Sequence, residues 1–278
     1  MKTIRAICLY AVLALLAVAT IAPLVWMVMT SLHPPLSPIP TPDRLFRPER
    51  WAFSNYAYVL SFPELPVVRF IVNSIVVTAS VVLVQLVICS LAAYGFARMT
   101  FRGRDTLFVI FLLTMMIPAT VIVVPLFLTV HKMGMLNTYA GLILPYPYLS
   151  TAFGTFLLRQ FFMTFPQSLD EAARLDGASD LRIWWHIVMP SAKPALATLA
   201  AFGFIWAWTD FYWPMLATST VDMRTLEVGL SIFKDAYGTT NWPLQMTAAV
   251  IVMAPALGFF LLLQRYFVKG VVLTGIKG

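Results

Sequence analysis

Long apolar runs alternate with short polar segments along this chain. A run without Asp, Glu, Lys or Arg occurs five times, at 6–32, 70–97, 106–131, 133–158 and 236–264. A sixth run, 194–217, contains one charged residue, Asp210. Each run reaches the ~20 residues that a helix needs to cross a bilayer. The pattern predicts six transmembrane helices, at approximately 7–31, 68–97, 106–130, 136–159, 194–217 and 244–267.

Composition supports the same class of protein. Hydrophobic residues make up 60% of the 278 residues, charged residues make up 11%, and the mean hydropathy is +0.83. A soluble domain carries about 25% charged residues. We therefore expect an all-α, polytopic membrane protein whose single transmembrane domain covers residues 1–278.

The distribution of Lys and Arg predicts how the helices are oriented. With the N-terminus in the cytoplasm, 12 of the 19 basic residues lie on the cytoplasmic side, as the positive-inside rule requires. Both termini and the loop 165–193 are then cytoplasmic. The net charge of +7 reflects this topology, and no basic face with interleaved aromatics suggests binding to nucleic acid.

The cytoplasmic loop contains a short polar segment with clear helix signals. Ser168 and Glu171 have the spacing of a capping box, in which each side chain bonds the other residue's backbone N–H. Gly177 can supply the left-handed residue that ends this helix. A second short helix is expected from about Ser179 to Met189. The loop thus predicts a short, stiff element, roughly 12 Å long, held at an angle to its neighbour.

The same segment carries a spaced motif. Three residues separate Glu171-Ala172-Ala173 from Gly177, and nine residues separate Gly177 from Ile187-Val188-Met189-Pro190. This pattern resembles the cytoplasmic EAA loop of ABC importer permeases, with Met189 where Leu is usual. The resemblance implies a type I ABC importer permease fold and a coupling helix seated on an ATPase. The residues implied in ATPase coupling are Glu171, Ala172, Ala173, Asp176, Gly177, Ile187 and Pro190.

Three further segments, 93–98, 208–214 and 264–270, look like parts of the carbohydrate-uptake branch, which includes maltose-type and glycerol-phosphate-type systems. The similarity covers essentially the whole chain, at the size of the smaller six-helix subunit. It implies import of a sugar, an oligosaccharide, a polyol or a glycerol-phosphate compound across the bacterial cytoplasmic membrane. The implied partners are a second permease, two ABC ATPase subunits, an extracytoplasmic solute-binding protein and membrane lipid.

Nothing in the sequence points to catalysis by this chain. It has no Gly-x-x-x-x-Gly-Lys-Ser/Thr loop, so ATP and Mg are expected on the partner ATPases and no cofactor on this chain. His33, His131 and His186 are scattered, Cys8 and Cys89 lie in apolar runs, and no metal-ligand spacing occurs. The alternative function is a stand-alone secondary carrier or channel, although the chain lacks the internal repeats and intramembrane charge pairs typical of carriers.

Several polar residues in the apolar runs are candidates for the solute pathway. An acid inside a membrane helix costs about 2.5–3.5 kcal/mol on insertion scales and suggests a functional role. Asp210 lies among aromatic residues, including Trp208 and Trp213, whose flat faces suit sugar rings. An interfacial aromatic belt is the alternative. Asn73, Ser74 and Gln85 in the second helix are further candidates, with hydrogen bonding between helices as the alternative.

The outer loop 218–245 contains uncharged polar residues just before the last helix. In maltose-type permeases the corresponding loop reaches into the binding protein. The resemblance therefore implies that Gly238, Thr239, Thr240 and Asn241 contact the binding protein here, and an ordinary connecting loop is the alternative.

Overall fold

The computed structural model describes the backbone of residues 2–236 and 241–274, and within these residues the chain contains helices and no strand. In chain order the α-helices are α1 (Lys2–Ser31), α2 (Ser54–Leu60), α3 (Val67–Arg98), α4 (Arg104–Leu113), α5 (Ala119–Lys132), α6 (Tyr139–Ile143), α7 (Pro145–Phe162), α8 (Ser168–Leu175), α9 (Asp180–Ile183), α10 (Met189–Ser191), α11 (Lys193–Trp208), α12 (Tyr212–Ala217), α13 (Leu226–Ala236) and α14 (Trp242–Thr274). Three helices, α1, α3 and α14, are individually long and apolar enough to cross a membrane. The number rises to as many as six when each of three bent helix pairs is taken as one span.

The helix predicted over 106–130 is interrupted in the structure. The chain leaves the helix at Ile117, whose backbone is extended (φ −80°, ψ 115°), and α5 restarts after Pro118. The two halves are bent by 94°. Proline has no N–H to donate and disfavours helical backbone in the preceding residue. Pro118 therefore breaks this span instead of gently kinking it.

The predicted helices over 136–159 and 194–217 are interrupted as well. The first divides into α6 and α7, with Pro145 at the first position of α7. The second divides into α11 and α12 around Asp210. The Asp210 Oδ1 accepts the backbone N–H groups of Tyr212 (2.9 Å) and Trp213 (3.3 Å), which are orphan donors at the start of α12.

The chain divides into two compact units. The first comprises residues 1–69 and 229–255. Its polar core lies at the end of α1, where the last carbonyls of a helix lack intrahelical partners. Asn55 Nδ2 donates to Ser31 O (2.8 Å) and His33 O (2.9 Å), and Thr247 Oγ1 donates to Ser31 O (3.2 Å). These buried side chains satisfy the carbonyls that end α1.

The second unit comprises residues 70–228 and 256–278, and two apolar clusters hold its described part together. One joins the end of α3 to the ends of α7, to α8 and α9, and to the start of α11, with fully buried Leu158, Phe162, Ile183 and Leu199 among its members. The other joins the first half of α3 to α5, α6 and α12. The clusters leave the middle of α3 to face a cavity.

Candidate functional site

The segment with the spaced motif forms a helix, a left-handed turn and a second helix. Helix α8 ends in a pair of bonds, Ala178 N–H to Ala173 O (2.9 Å) and Gly177 N–H to Arg174 O (3.0 Å), which is the Schellman pattern. Gly177 has φ +78°, as the sequence predicts for this turn. A β-carbon at Gly177 meets nothing within 4 Å, so only the backbone conformation favours glycine there.

The predicted capping box at the start of α8 is wrong. Ser168 is already helical, and the structure shows no side-chain capping bond at this end of the helix. The N–H groups of Asp170 and Glu171 instead bond the Gln167 carbonyl oxygen, at 3.0 and 3.1 Å. The helix therefore begins at Ser168, one residue earlier than a Ser168 cap requires, with Gln167 at the N-cap position, and the Glu171 side chain is exposed.

A buried ion pair joins α8 to the end of α3. Arg98 Nε lies 3.5 Å from Asp170 Oδ2, and the two side chains are 2% and 6% exposed. A second link runs through Asp180 Oδ1, which accepts from Arg174 Nη2 (2.8 Å) and from the Tyr94 hydroxyl (3.4 Å). The hydrogen bond to Asp180 raises the pKa of the Arg174 guanidinium, so this residue stays charged. Helix α8 is thus fixed to α3 by two carboxylates.

The second helix of the segment is packed into the apolar cluster by one face. Residues 184–188 form a π-helical stretch between α9 and α10, which the sequence does not predict. Ile183, Trp184 and Val188 are buried, and Ile187 is partly buried against the same cluster. The helix that runs from 180 to 191 meets α11 at 83°. The segment is therefore packed against three helices, α3, α7 and α11.

The other face of the segment is open. Among the coupling candidates, Ala173 is buried, whereas Glu171, Ala172, Asp176, Gly177 and Pro190 are exposed. Large apolar side chains lie beside them, notably Leu175 (90% exposed) and Leu181 (63% exposed). Exposed apolar groups bordered by polar ones are typical of surfaces that bind another protein.

A cavity of about 580 Å³ opens in the same unit, on the face of α3 that carries Gln85. Tyr146, Ser150 and Phe153 of α7 also line it, at positions i, i+4 and i+7 of one helical face. Trp206 of α11 and Asp210 of the break after it line the cavity as well, and so do residues around the break between α4 and α5, including Pro118. The Tyr146 hydroxyl donates to Asp210 Oδ2 at 2.7 Å. The cavity combines an aromatic wall with a few polar groups.

The structure places only two of the six pathway candidates, Gln85 and Asp210, at this cavity. Asn73 Nδ2 instead donates to the carbonyls of Asp222 (2.7 Å) and Arg224 (2.9 Å), and Ser74 Oγ accepts the Leu226 N–H (2.8 Å). These two side chains hold a connecting segment against α3.

The two tryptophan candidates lie away from the cavity lining. Trp208 is buried and stacks on Phe204 at 5.5 Å, and Trp213 Nε1 donates to Gly141 O (3.1 Å). Trp206 is instead the tryptophan that lines the cavity. It lies four residues before Asp210, so helical spacing counted back from Asp210 identifies it.

Three of the four binding-protein candidates, Gly238, Thr239 and Thr240, lie outside the described residues. The fourth, Asn241, is buried, and its Oδ1 accepts the Leu36 N–H at 3.0 Å. Leu36 has a left-handed backbone (φ 64°), so Asn241 stabilises an uncommon turn within the first unit.

Comparison with known proteins gives consistent matches. Residues 85–273 match the family described as binding-protein-dependent transport system inner membrane component. The chain is 37% identical over 201 residues to the sn-glycerol-3-phosphate transport system permease protein UgpE of Yersinia enterocolitica, covering 72% of this chain and 71% of the relative. It is 33% identical over 264 residues to the trehalose/maltose transport system permease protein MalG of Thermococcus litoralis, covering 95% and 94%.

A solved structure matches over nearly the full length. It is the crystal structure of a bacterial ABC transporter involved in the import of the acidic polysaccharide alginate. The matched chain has a TM-score of 0.77 and is 26% identical, and the match covers 96% of this chain and 97% of the other.

Proposed function

Because the chain belongs to the family of binding-protein-dependent transport system inner membrane components, we propose that its segment 165–193 couples an ATPase to the membrane helices. The protein is a permease subunit of a sugar ABC importer and a multi-pass protein of the bacterial inner membrane.

The proposed assembly has four kinds of component. This chain pairs with a second permease, two ATPase subunits carry ATP and Mg, and an extracytoplasmic binding protein delivers the solute. The chain crosses the membrane six times, counting each of the three bent pairs as one span, with both termini in the cytoplasm. The distribution of Lys and Arg supports this orientation.

The coupling proposal is supported by the two different faces of the segment, one packed against the protein and the other exposed. One face is fastened to α3 through Asp170 and Ala173. The opposite face presents Leu175 and Glu171 to a partner. An element that is rigid on one side and open on the other can transmit a displacement of its partner.

Helix α3 carries such a displacement towards the cavity. Arg98 and Gln85 are on the same helix, 13 residues apart, which corresponds to about 20 Å along its axis. A shift of α8 therefore moves the wall of the cavity without any flexible connector between them. We infer that the cavity is part of the translocation pathway.

The outer segment around Gly238–Asn241 is proposed to contact the binding protein. Support comes from the uncharged hydrogen-bonding groups in the sequence and from the anchored position of Asn241. The proposed solute is a sugar or a sugar-like compound. The relatives are named for both neutral solutes (trehalose and maltose) and anionic ones (glycerol phosphate and alginate).

The coupling proposal is tested by placing a charge on the open face. We expect Leu175→Asp to reduce copurification of the ATPase subunits and ATP hydrolysis stimulated by the loaded binding protein. Met133→Asp is the matched control, because Met133 is an exposed apolar side chain (62%) at the end of α5, outside the segment. Normal assembly and stimulation in Leu175→Asp would remove the segment from the coupling role.

A further inference from the structure

Gln85 is an unusual residue for the wall of a membrane-embedded cavity. It is 1% exposed, and neither its Nε2 nor its Oε1 has a hydrogen-bond partner among the residues that the structure describes. A buried amide that lacks hydrogen-bond partners is unfavourable for stability. Gly203 faces it so closely that a β-carbon there would collide with Gln85 Oε1. The structure thus accommodates the Gln85 amide, although the described residues supply no hydrogen bond to it.

The cavity has a definite electrostatic character. Within the described part of the chain, Asp210 accepts hydrogen bonds from neutral groups only, the Tyr146 hydroxyl and the N–H groups of Tyr212 and Trp213. No Lys, Arg or His occurs among the described residues that line the cavity. A carboxylate has about four acceptor positions, and one remains free at Asp210. An anionic solute would meet a negative charge with no compensating cation.

The wall between Gln85 and Asp210 suits an apolar ring face. Phe153 and Trp206 pack with their ring centroids 5.7 Å apart and both line the cavity. Ser150 adds a hydroxyl beside them. Ligand sites usually combine an apolar lining with a few placed polar groups, and this cavity lies within their usual range of about 300–1,000 Å³.

We propose that this chain itself holds a solute site in the cavity, and that the site selects neutral polyhydroxyl solutes over anionic ones. Gln85 donates to and accepts from solute hydroxyls, Asp210 accepts one hydroxyl, and Phe153 with Trp206 covers a ring face. The site rests on the proposed place of the cavity in the pathway.

Saturation-transfer-difference NMR on the assembled transporter in nanodiscs, without binding protein, tests the site. The probes are maltose, trehalose and sn-glycerol 3-phosphate at equal concentration. At least one of the two sugars should give a transfer signal, and glycerol 3-phosphate should give none. Gln85→Leu should reduce the sugar signal at least threefold, because leucine fills the space without hydrogen-bonding groups. Leu83→Ala is the control, since Leu83 is on α3 but 64% exposed.

A second variant tests whether the charge of Asp210 sets the selectivity for neutral solutes. Asp210→Asn removes the charge while asparagine still caps α12. A transfer signal from glycerol 3-phosphate should therefore appear in Asp210→Asn where the unmodified transporter gives none, because the like charge that opposes the phosphate in a poorly screened site has been removed.

Three results would overturn the site: no signal from either sugar, a stronger signal from glycerol 3-phosphate in the unmodified transporter, or an unchanged sugar signal in Gln85→Leu. ATP hydrolysis stimulated by loaded binding protein is measured on the same nanodiscs. If it stays intact while the sugar signal is missing, only the site fails. If the unmodified transporter shows no such stimulation, the proposed function fails instead.

Discussion

Removing one partner of the Arg98–Asp170 pair should destabilise the chain far more than removing both. The two side chains are 2% and 6% exposed, with 3.5 Å between Nε and Oδ2. Arg98→Met leaves the Asp170 carboxylate buried without a counter-charge, and Asp170 Oδ1 has no hydrogen-bond partner to compensate. Arg98→Met combined with Asp170→Leu replaces both charges with apolar groups of similar size.

The size of the effect follows from burial. At 3.5 Å and an effective dielectric constant near 20, the attraction is about 5 kcal/mol. Breaking a buried pair by removing one partner costs about 3–5 kcal/mol, whereas an exposed pair contributes about 0–1 kcal/mol. We expect about 3–5 kcal/mol for Arg98→Met. The cost should be smaller for Asp170→Leu, because the long Arg98 side chain can reach water.

The assay is SDS-induced unfolding of the purified chain in mixed micelles, followed by circular dichroism. The free energy of unfolding is compared across the unmodified chain, both single variants and the double variant. The double variant should unfold within about 1 kcal/mol of the unmodified chain. Single variants that each cost less than about 1 kcal/mol would show that the pair behaves as an exposed one and would refute the reasoning.

Three further predictions test other parts of the structure. Gly177→Val should strain the left-handed turn (φ +78°) by about 1–2 kcal/mol and reduce binding-protein-stimulated ATP hydrolysis, while Gly95→Ala, in open space within α3, should not. Ser179→Cys should react with an impermeant maleimide only from the cytoplasm and Ser219→Cys only from outside; labelling of both from one side would end the six-span orientation. Burial raises the pKa of Glu227 above its ordinary value, so its ionisation opposes folding as pH rises. Glu227→Gln should therefore raise the unfolding midpoint at pH 8 and leave it unchanged at pH 4.

The sequence predicts where the apolar runs lie much better than how they bend. Helices α1, α3 and α14 cover the predicted stretches 7–31, 68–97 and 244–267. The break at Pro118 is different, because a proline in an apolar run permits either a kink or a full interruption. Tertiary packing decides between these two, and no local pattern encodes it.

The cavity, too, follows only in part from the sequence. Tyr146, Ser150 and Phe153 have the regular spacing of one helical face, but α7 is apolar on most sides, so periodicity alone marks no special face. Asp210 and Gln85 stand out because polar groups are costly inside a membrane. Partners distant in sequence, such as Arg98 and Asp170, meet only once the fold is known.

The coupling segment divides into a part that local rules predict and a part that they do not. Gly177 adopts the left-handed conformation expected from its place after a run of helix formers. The capping box fails because Gln167, and not Ser168, occupies the N-cap position, so the helix begins one residue earlier. Spacing such as that of Ser168 and Glu171 therefore indicates a helix start without fixing its first residue.

Photo-crosslinking from position 175 tests the central claim most directly. Leu175 is 90% exposed on the open face of α8, so a benzoylphenylalanine introduced there leaves the packed face unchanged. In the assembled transporter in native membranes, illumination should join this chain to an ATPase subunit, and the same residue introduced at Met133 should give no such adduct. If position 175 forms adducts only with lipid or with the second permease, the segment does not dock on the ATPase and the account of coupling is contradicted.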